Sequence, residues 1–167
     1  FQDHDDAIDA VLSARPEIFN HNLETVRRLT PAVRHRATYD RSLSVLRKAK
    51  ELGAATLFTK SGLMLGLGET QEEIVEALRD LRSVGCDILT AGQYLQPTLQ
   101  HLPVVEFVTP ARFAWVAEQA EALGFGQSED AGRYVCNAWL WHALQDELPA
   151  AFLHVPDQGV EPAVLLA

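Results

Sequence analysis

Residues 56–74 read TLFTKSGLMLGLGETQEEI, and three kinds of local structure follow one another in those nineteen positions. Thr56 to Leu67 is apolar with a glycine-rich end, the pattern of a strand buried on both faces in a parallel sheet. Gly62, Gly66 and Gly68 at the carboxyl end of that strand allow close backbone approach and sharp turning. Thr70 then stands three residues before Glu73, a capping box that predicts a helix start. Ile74, Ala77, Leu78 and Leu81 recur at helical spacing and predict the buried stripe of that helix.

Outward from this unit the same alternation continues. Upstream, Tyr39 to Leu52 predicts a helix with Leu43, Leu46 and Ala49 on one face and Gly53 as its stop. Pro16 to Asn20 predicts a short buried strand, and Asp5 to Ser13 an amphipathic helix carrying Ile8, Val11 and Leu12. Downstream, Asp87 to Leu95 predicts a strand that Gln96-Pro97 breaks, and Thr109-Pro110 opens a helix to Leu123 that Gly124 closes. Strand and helix alternating in this way predict an α/β fold of right-handed βαβ crossovers on a parallel sheet. After Gly126 the character changes. A polar turn region to Gly132 precedes a predicted helix, Tyr134 to Leu148, and a strand, Ala151 to Val155, while Asp157 to Ala167 is expected to be loose. A boundary near 125 divides the chain into 1–125 and 126–167.

Length and composition bound the function. A chain of 167 residues, 47% hydrophobic and 22% charged, is of globular type and of single-domain size. Its net charge of −9 argues against nucleic-acid binding, and no apolar run is long enough to span a membrane. No signal-type segment opens the chain, which begins at Phe1 without a Met, as a fragment or processed piece would. Two cysteines, Cys86 and Cys136, suit a reducing cytoplasm, and without CxxC or HxxxH spacing no self-contained metal site is expected. The charge is uneven. Residues 27–50 hold eight Lys and Arg against one acid, Asp40, a stretch of +7 that is either a solvated face or a surface for an anionic ligand or acidic partner.

Three strand ends carry the candidate ligand contacts, because parallel α/β folds bind ligands at the carboxyl ends of their strands. The first is the Gly62–Glu69 segment with the helix N-terminus behind it, unless its glycines serve only a tight turn. The second is Asn20-His21-Asn22-Leu23-Glu24-Thr25, where Asn and Glu side chains suit ribose hydroxyls, although such a run also reads as a helix cap. The third is Gln93-Tyr94-Leu95-Gln96-Pro97, with Leu95 and Pro97 for stacking and Tyr94 or Gln96 for a polar contact.

The stretches PEIFNHNLETV, YDRSLSVL, AKELG, LFTKSGLMLGLGET, DILTAGQYLQP and HLPVVEFVTP resemble lipoyl synthase, a radical S-adenosylmethionine enzyme, nearly continuously over residues 1–125. The resemblance implies a partial TIM-like half-barrel that binds S-adenosylmethionine, with Gly62, Met64, Gly66, Gly68 and Glu69 beside its adenosine. It places Asn22 and Glu24 at the ribose and methionine contacts, adds Asn20 and Gln96 at neighbouring strand ends, and makes Arg41 the candidate for the carboxylate. The activity implied is sulfur insertion into an octanoyl chain borne by a lipoyl-carrier protein, a partner that the +7 stretch would face. The family's two 4Fe-4S clusters sit on CxxxCxxC and CxxxxCxxxxxC motifs and its chain ends in Arg-Ser-Ser-Tyr; the 167 residues contain none of these. This predicts a chain inactive by itself.

The tail has a second resemblance. SEDAGRYVCN, residues 128–137, and FLHVP, residues 152–156, look like pyroglutamyl peptidase I, a cysteine peptidase that removes N-terminal pyroglutamate. Cys136 matches its nucleophile and His154 its base, while the triad's glutamate has no matching motif here. The two resemblances describe pieces of unrelated α/β enzymes joined near Phe125. A third reading is an inert recombined scaffold whose open sheet edges would favour homo-oligomers.

Overall fold

The computed structural model describes residues 5–127 and 163–166. In chain order these form α1 (Asp5–Ser13), β1 (Ile18–Asn20), α2 (Thr30–Val33), α3 (Tyr39–Leu52), β2 (Phe58–Leu65), α4 (Gln71–Ser83), β3 (Ile88–Gln93), α5 (Pro110–Ala122), β4 (Gly126–Gln127) and β5 (Ala163–Leu166). All strands are parallel, in the order β1-β2-β3-β5-β4. The α/β class and the parallel pairing of the first three strands therefore agree with the sequence reading. The predicted helix at 134–148 and strand at 151–155 lie outside the described residues. Ala163–Leu166, expected to be loose, instead forms β5 between β3 and β4. Its AVLL sequence is β-prone, but four residues with prolines and glycine close before them gave too short a signal.

Register explains why the two faces of the sheet differ. Phe19 pairs with Thr59, Asn20 with Lys60, Ser61 with Leu89, Gly62 with Thr90, and Met64 with Gly92. Side chains alternate between faces along a strand, so Leu63, Leu65, Leu89 and Ala91 share one face. That face packs on Leu43 and Leu46 of α3, Ile74, Leu78 and Leu81 of α4, and Phe113 and Val116 of α5 in one buried cluster. Ile8, Phe19, Val45, Ala49 and Leu57 make a smaller cluster under α1. The opposite face presents Lys60, Gly62, Met64, Thr90 and Gly92. Stability thus resides on the helix side and polar, small side chains on the other.

The helix ends follow their predicted chemistry, with two corrections. Thr70 accepts the Glu73 N–H while the Glu73 carboxylate accepts the Thr70 N–H, so the capping box is complete. Thr38 and Thr109 cap α3 and α5 in the same manner through the N–H groups of Arg41 and Arg112. Gly53 does end α3, but with φ −72 and ψ 164, outside the left-handed region. It is small because a Cβ there would collide with the Leu57 side chain and the Ala49 carbonyl. Asn22 caps no helix: the chain from His21 to Glu24 runs beside β2, with the His21 N–H on Lys60 O and the Glu24 N–H on Gly62 O. Among the described residues no helix is long and apolar enough to cross a membrane.

Lys50 and Asp87 tie the amino ends of β2 and β3 together. Both Asp87 oxygens accept from Lys50 Nζ, at 2.9 and 2.8 Å, and Oδ2 also accepts the Thr59 N–H at 2.7 Å. Arg27 meets Asp40 and Asp80 and lies over the Tyr39 ring, joining α3 to α4. Arg28 forms a two-pronged pair with Glu73. Part of the +7 stretch is therefore neutralised by carboxylates brought in from other elements.

Candidate functional site

The carboxyl ends of β1, β2 and β3 frame a cavity of about 570 Å³, lined by Glu24, Arg34, Met64, Tyr94, Leu95, Pro97 and His101 among others. Glu24 reaches it through an unusual backbone. Its φ of +74 is left-handed, and its carbonyl accepts the Met64 N–H at 2.7 Å while its N–H goes to Gly62 O. A non-glycine residue in that region is strained unless its surroundings fix it, and these two bonds to β2 do so. Asn22 lies beside it, over Gly62. A Cβ at Gly62 would come within 3.1 Å of Asn22 Oδ1 and Thr90 Oγ1, so glycine is required by the close approach of those two side chains. Asn22 Oδ1 is buried and accepts no hydrogen bond. Buried acceptors are seldom left this way. No side chain occupies the space a Cβ would take at Gly92, on the same face.

The glycine turn after β2 is held by its own acid. Gly66 and Gly68 have φ of +100 and +95, which turns the Gly66 and Leu67 N–H groups onto Glu69 Oε1 and Oε2, at 2.7 and 2.9 Å. Glu69 is buried by this arrangement, and its carboxylate serves the turn. Arg28 donates to Gly68 O at 2.8 Å and so links the turn to α4 through Glu73, whose carboxyl it holds below the usual range. Gly66 faces the loop after β3: a Cβ would strike Glu106 O, and Gly66 O accepts the N–H groups of Val105 and Glu106.

The predicted residues thus divide by place. Glu24 and Met64 line the cavity, whereas Asn22 and Gly62 pack against each other outside its lining. Gly66, Gly68 and Glu69 build the turn above it. Gln96 spans the next loop, its amide donating to His101 O at 2.8 Å. Asn20 is exposed at the end of β1. Arg41 lines a second cavity. Cys136 and His154 lie outside the described residues.

Three residues had no role of their own in the sequence reading. Gln93 organises the loop after β3, donating to Tyr94 O and Glu106 O and accepting the Val108 N–H. Lys60, on the same face as Gly62 and Met64, is half-buried, and burial lowers its pKa. Its position two residues before Gly62 was the available signal, since residues two apart share a face. Arg34 sits between the two cavities and donates to Asn22 O and Ser42 Oγ.

No iron–sulfur cluster fits the described residues. Cys86 is their one cysteine, fully buried, with its thiol pushed up to about 12 by that burial. No group of three or more His, Cys, Asp and Glu is placed to hold a metal among the described residues. A nucleoside fits better, because the cavity pairs the Glu24 carboxylate with the apolar walls of Met64, Leu95 and Pro97.

Residues 2–81 match the Radical SAM superfamily. A lipoyl synthase from Caldicellulosiruptor saccharolyticus is 54% identical over 125 residues, covering 75% of this chain and 44% of that protein. Lipoyl synthase 2 from Gloeobacter violaceus is 57% identical over 125 residues, again 75% of this chain and 43% of the relative. The chain therefore spans less than half the length of these curated relatives. Among solved structures, dihydrodipicolinate synthase from Oceanobacillus iheyensis aligns at a TM-score of 0.43 and 14% identity over 75% of this chain and 37% of that one. Most of this chain is thus similar in sequence to lipoyl synthases. These relatives lend no support to the peptidase resemblance of the tail.

Proposed function

We propose that residues 1–125 are the cofactor-facing part of a lipoyl synthase, half of a barrel whose helices cover one face of the sheet. The observation that carries this reading is the convergence of Glu24 and Met64, with Leu95 and Pro97, on one strand-end cavity. The similarity to lipoyl synthases supports it. In a whole lipoyl synthase, one electron from a cluster held outside these residues would cleave S-adenosylmethionine to methionine and the 5′-deoxyadenosyl radical, which takes a hydrogen atom from an octanoyl chain on a lipoyl-carrier protein. The Glu24 carboxylate accepts the two ribose hydroxyls, as its two oxygens allow. Met64 with Leu95 and Pro97 bounds the adenine and keeps water from it. The Glu69-locked turn holds the β2 end rigid against this ligand.

The clusters that the family carries have no ligand set in these 167 residues, so this chain by itself binds the cofactor without cleaving it. The test is anaerobic calorimetry of S-adenosylmethionine with the 167-residue chain. Saturable binding is expected, with stabilisation of about 2.7 kcal/mol at a hundredfold excess over Kd. Glu24→Ala should weaken binding about tenfold, the worth of one or two charge-assisted bonds. Absence of binding by the folded chain would overturn the reading.

A further inference from the structure

The loop of residues 94–109, which leaves β3, forms one wall of the strand-end cavity through Tyr94, Leu95, Pro97, Gln100, His101 and Leu102. The polar groups of that wall differ in how far they are committed. The Tyr94 hydroxyl donates to Leu102 O at 2.8 Å and is in use. Gln100 is exposed, and its long side chain would have to be ordered by a ligand. His101 is held at both backbone and ring. Its N–H donates to Thr98 O at 3.0 Å, its carbonyl accepts the Gln96 amide at 2.8 Å, and its Nδ1 lies 2.9 Å from Thr98 Oγ1. Thr98 Oγ1 also accepts the Gln100 N–H at 3.3 Å, so the hydroxyl's own proton is available to His101 Nδ1. This hydrogen-bond network assigns the ring proton to Nε2, the polar ring atom left over.

We infer that His101 orients the base of the bound nucleoside, its Nε2–H donating to one of the ring nitrogens of adenine. The inference rests on the reading of this cavity as a nucleoside pocket and adds the polar contact that fixes the base within it. Leu95 and Pro97, on the same wall as His101, offer apolar surface to a flat ring, while Glu24 takes the ribose. A base enclosed by apolar side chains loses water from its ring nitrogens, and an acceptor buried without a donor costs more than an ordinary hydrogen bond contributes. Adenine has such acceptors at N1, N3 and N7. A donor whose ring is already anchored serves one of them with little loss of side-chain freedom on binding.

The experiment is calorimetry of the 167-residue chain with adenosine and with its 1-deaza, 3-deaza and 7-deaza analogues, each of which replaces one ring nitrogen by C–H. One analogue should bind about five- to tenfold more weakly than adenosine, the loss of one hydrogen bond, and the other two as adenosine does. His101→Ala should weaken adenosine by the same factor and no longer distinguish that analogue, the coupling that a direct contact requires. His101→Gln, whose amide nitrogen reaches the place of Nε2, should restore most of the discrimination. Urea midpoints near the parent's show that both variants fold, and a merely structural role for His101 would leave the discrimination between analogues unmoved. Adenosine binding with no analogue distinguished, or a His101→Ala chain that keeps the parent's discrimination, would overturn this inference while the cofactor reading stands. A folded parent that binds neither adenosine nor S-adenosylmethionine would overturn both.

Discussion

Glu69→Gln changes one oxygen to an NH₂ and leaves the side-chain shape intact, so its cost isolates the hydrogen bonds of the glycine turn. The native carboxylate accepts one backbone N–H on each oxygen, from Gly66 at 2.7 Å and Leu67 at 2.9 Å, and the residue is only 7% exposed. An amide can accept from only one of those donors; its NH₂ must face the other. One charge-assisted bond is lost, about 1.5–3 kcal/mol, and one backbone N–H is left buried without an acceptor, about 1–3 kcal/mol more. The turn can relax, because Gly68 is exposed and its neighbours are loops, so a net loss near 3 kcal/mol is expected.

Urea unfolding is the assay. The midpoint should fall with the slope unchanged, since the same surface is exposed on unfolding. For a chain of this size, Tm should fall by about 2–4 °C per kcal/mol, roughly 6–12 °C in all. Glu69→Asp keeps the charge but is one methylene too short to reach both donors, and should fall between the parent and the Gln variant. A Gln variant within about 0.5 kcal/mol of the parent would refute the claim that the carboxylate holds the turn.

Gly66→Ala should cost at least about 2 kcal/mol, because φ is +100 and the new methyl meets Glu106 O; an unchanged urea midpoint would contradict the turn geometry. Thr70→Ala removes half of the α4 capping box and should lower stability by about 1 kcal/mol, read from the same unfolding curves. Because the His21 pKa is depressed in the folded chain, the unfolded chain binds more protons between its ordinary value of 6.5 and about 4, and stability falls as pH drops through that window. His21→Gln should flatten that slope by up to about 1.4 kcal/mol per pH unit, as unfolding at pH 7, 6 and 5 would show. Cys86, buried and with a raised thiol pKa, should resist maleimide until the chain unfolds. Labelling at Cys86 at the rate of a free thiol would contradict that burial, and rapid labelling of Cys136 would favour the peptidase resemblance of the tail.

What the sequence revealed was whatever is encoded within a few residues. The Thr70–Glu73 box, the stripe from Ile74 to Leu81 and the bounds of α1 and α3 are local patterns, and the structure has them. Strand ends were read two residues too long at β2 and by one or two at β3, because apolar composition continues past the last ladder bond. The site was legible in its list of parts but not in their roles. Glu69 and Glu24 are both acids at a β2-side turn, yet one is spent on backbone N–H groups and the other faces a cavity. Only three-dimensional placement separates them. Arg34 was one basic residue among eight, and its distinction is a guanidinium held by Asn22 O and Ser42 Oγ, which is a property of the fold.

The two faces of the sheet explain how such a site can exist without undermining the fold. Leu63, Leu65, Leu89 and Ala91 bury the helix side completely or nearly so, and that burial carries the hydrophobic stabilisation. The alternation of side chains along the same strands leaves Lys60, Gly62, Met64, Thr90 and Gly92 on the other face, at positions the core does not need. A desolvated amine at Lys60 is unfavourable in the chain alone, and ligand contacts can recover that cost. Substitutions on the even-numbered face should therefore change ligand affinity with little loss of stability, and those on the odd-numbered face the reverse. Met64→Ala and Leu63→Ala, adjacent on β2, make the sharpest pair. Leu63→Ala should cost about 2–5 kcal/mol of stability, whereas Met64→Ala should leave the unfolding midpoint nearly in place and weaken binding. Equal destabilisation by both would mean that the strand-end face is packed as core, and the division of labour between the faces would fail.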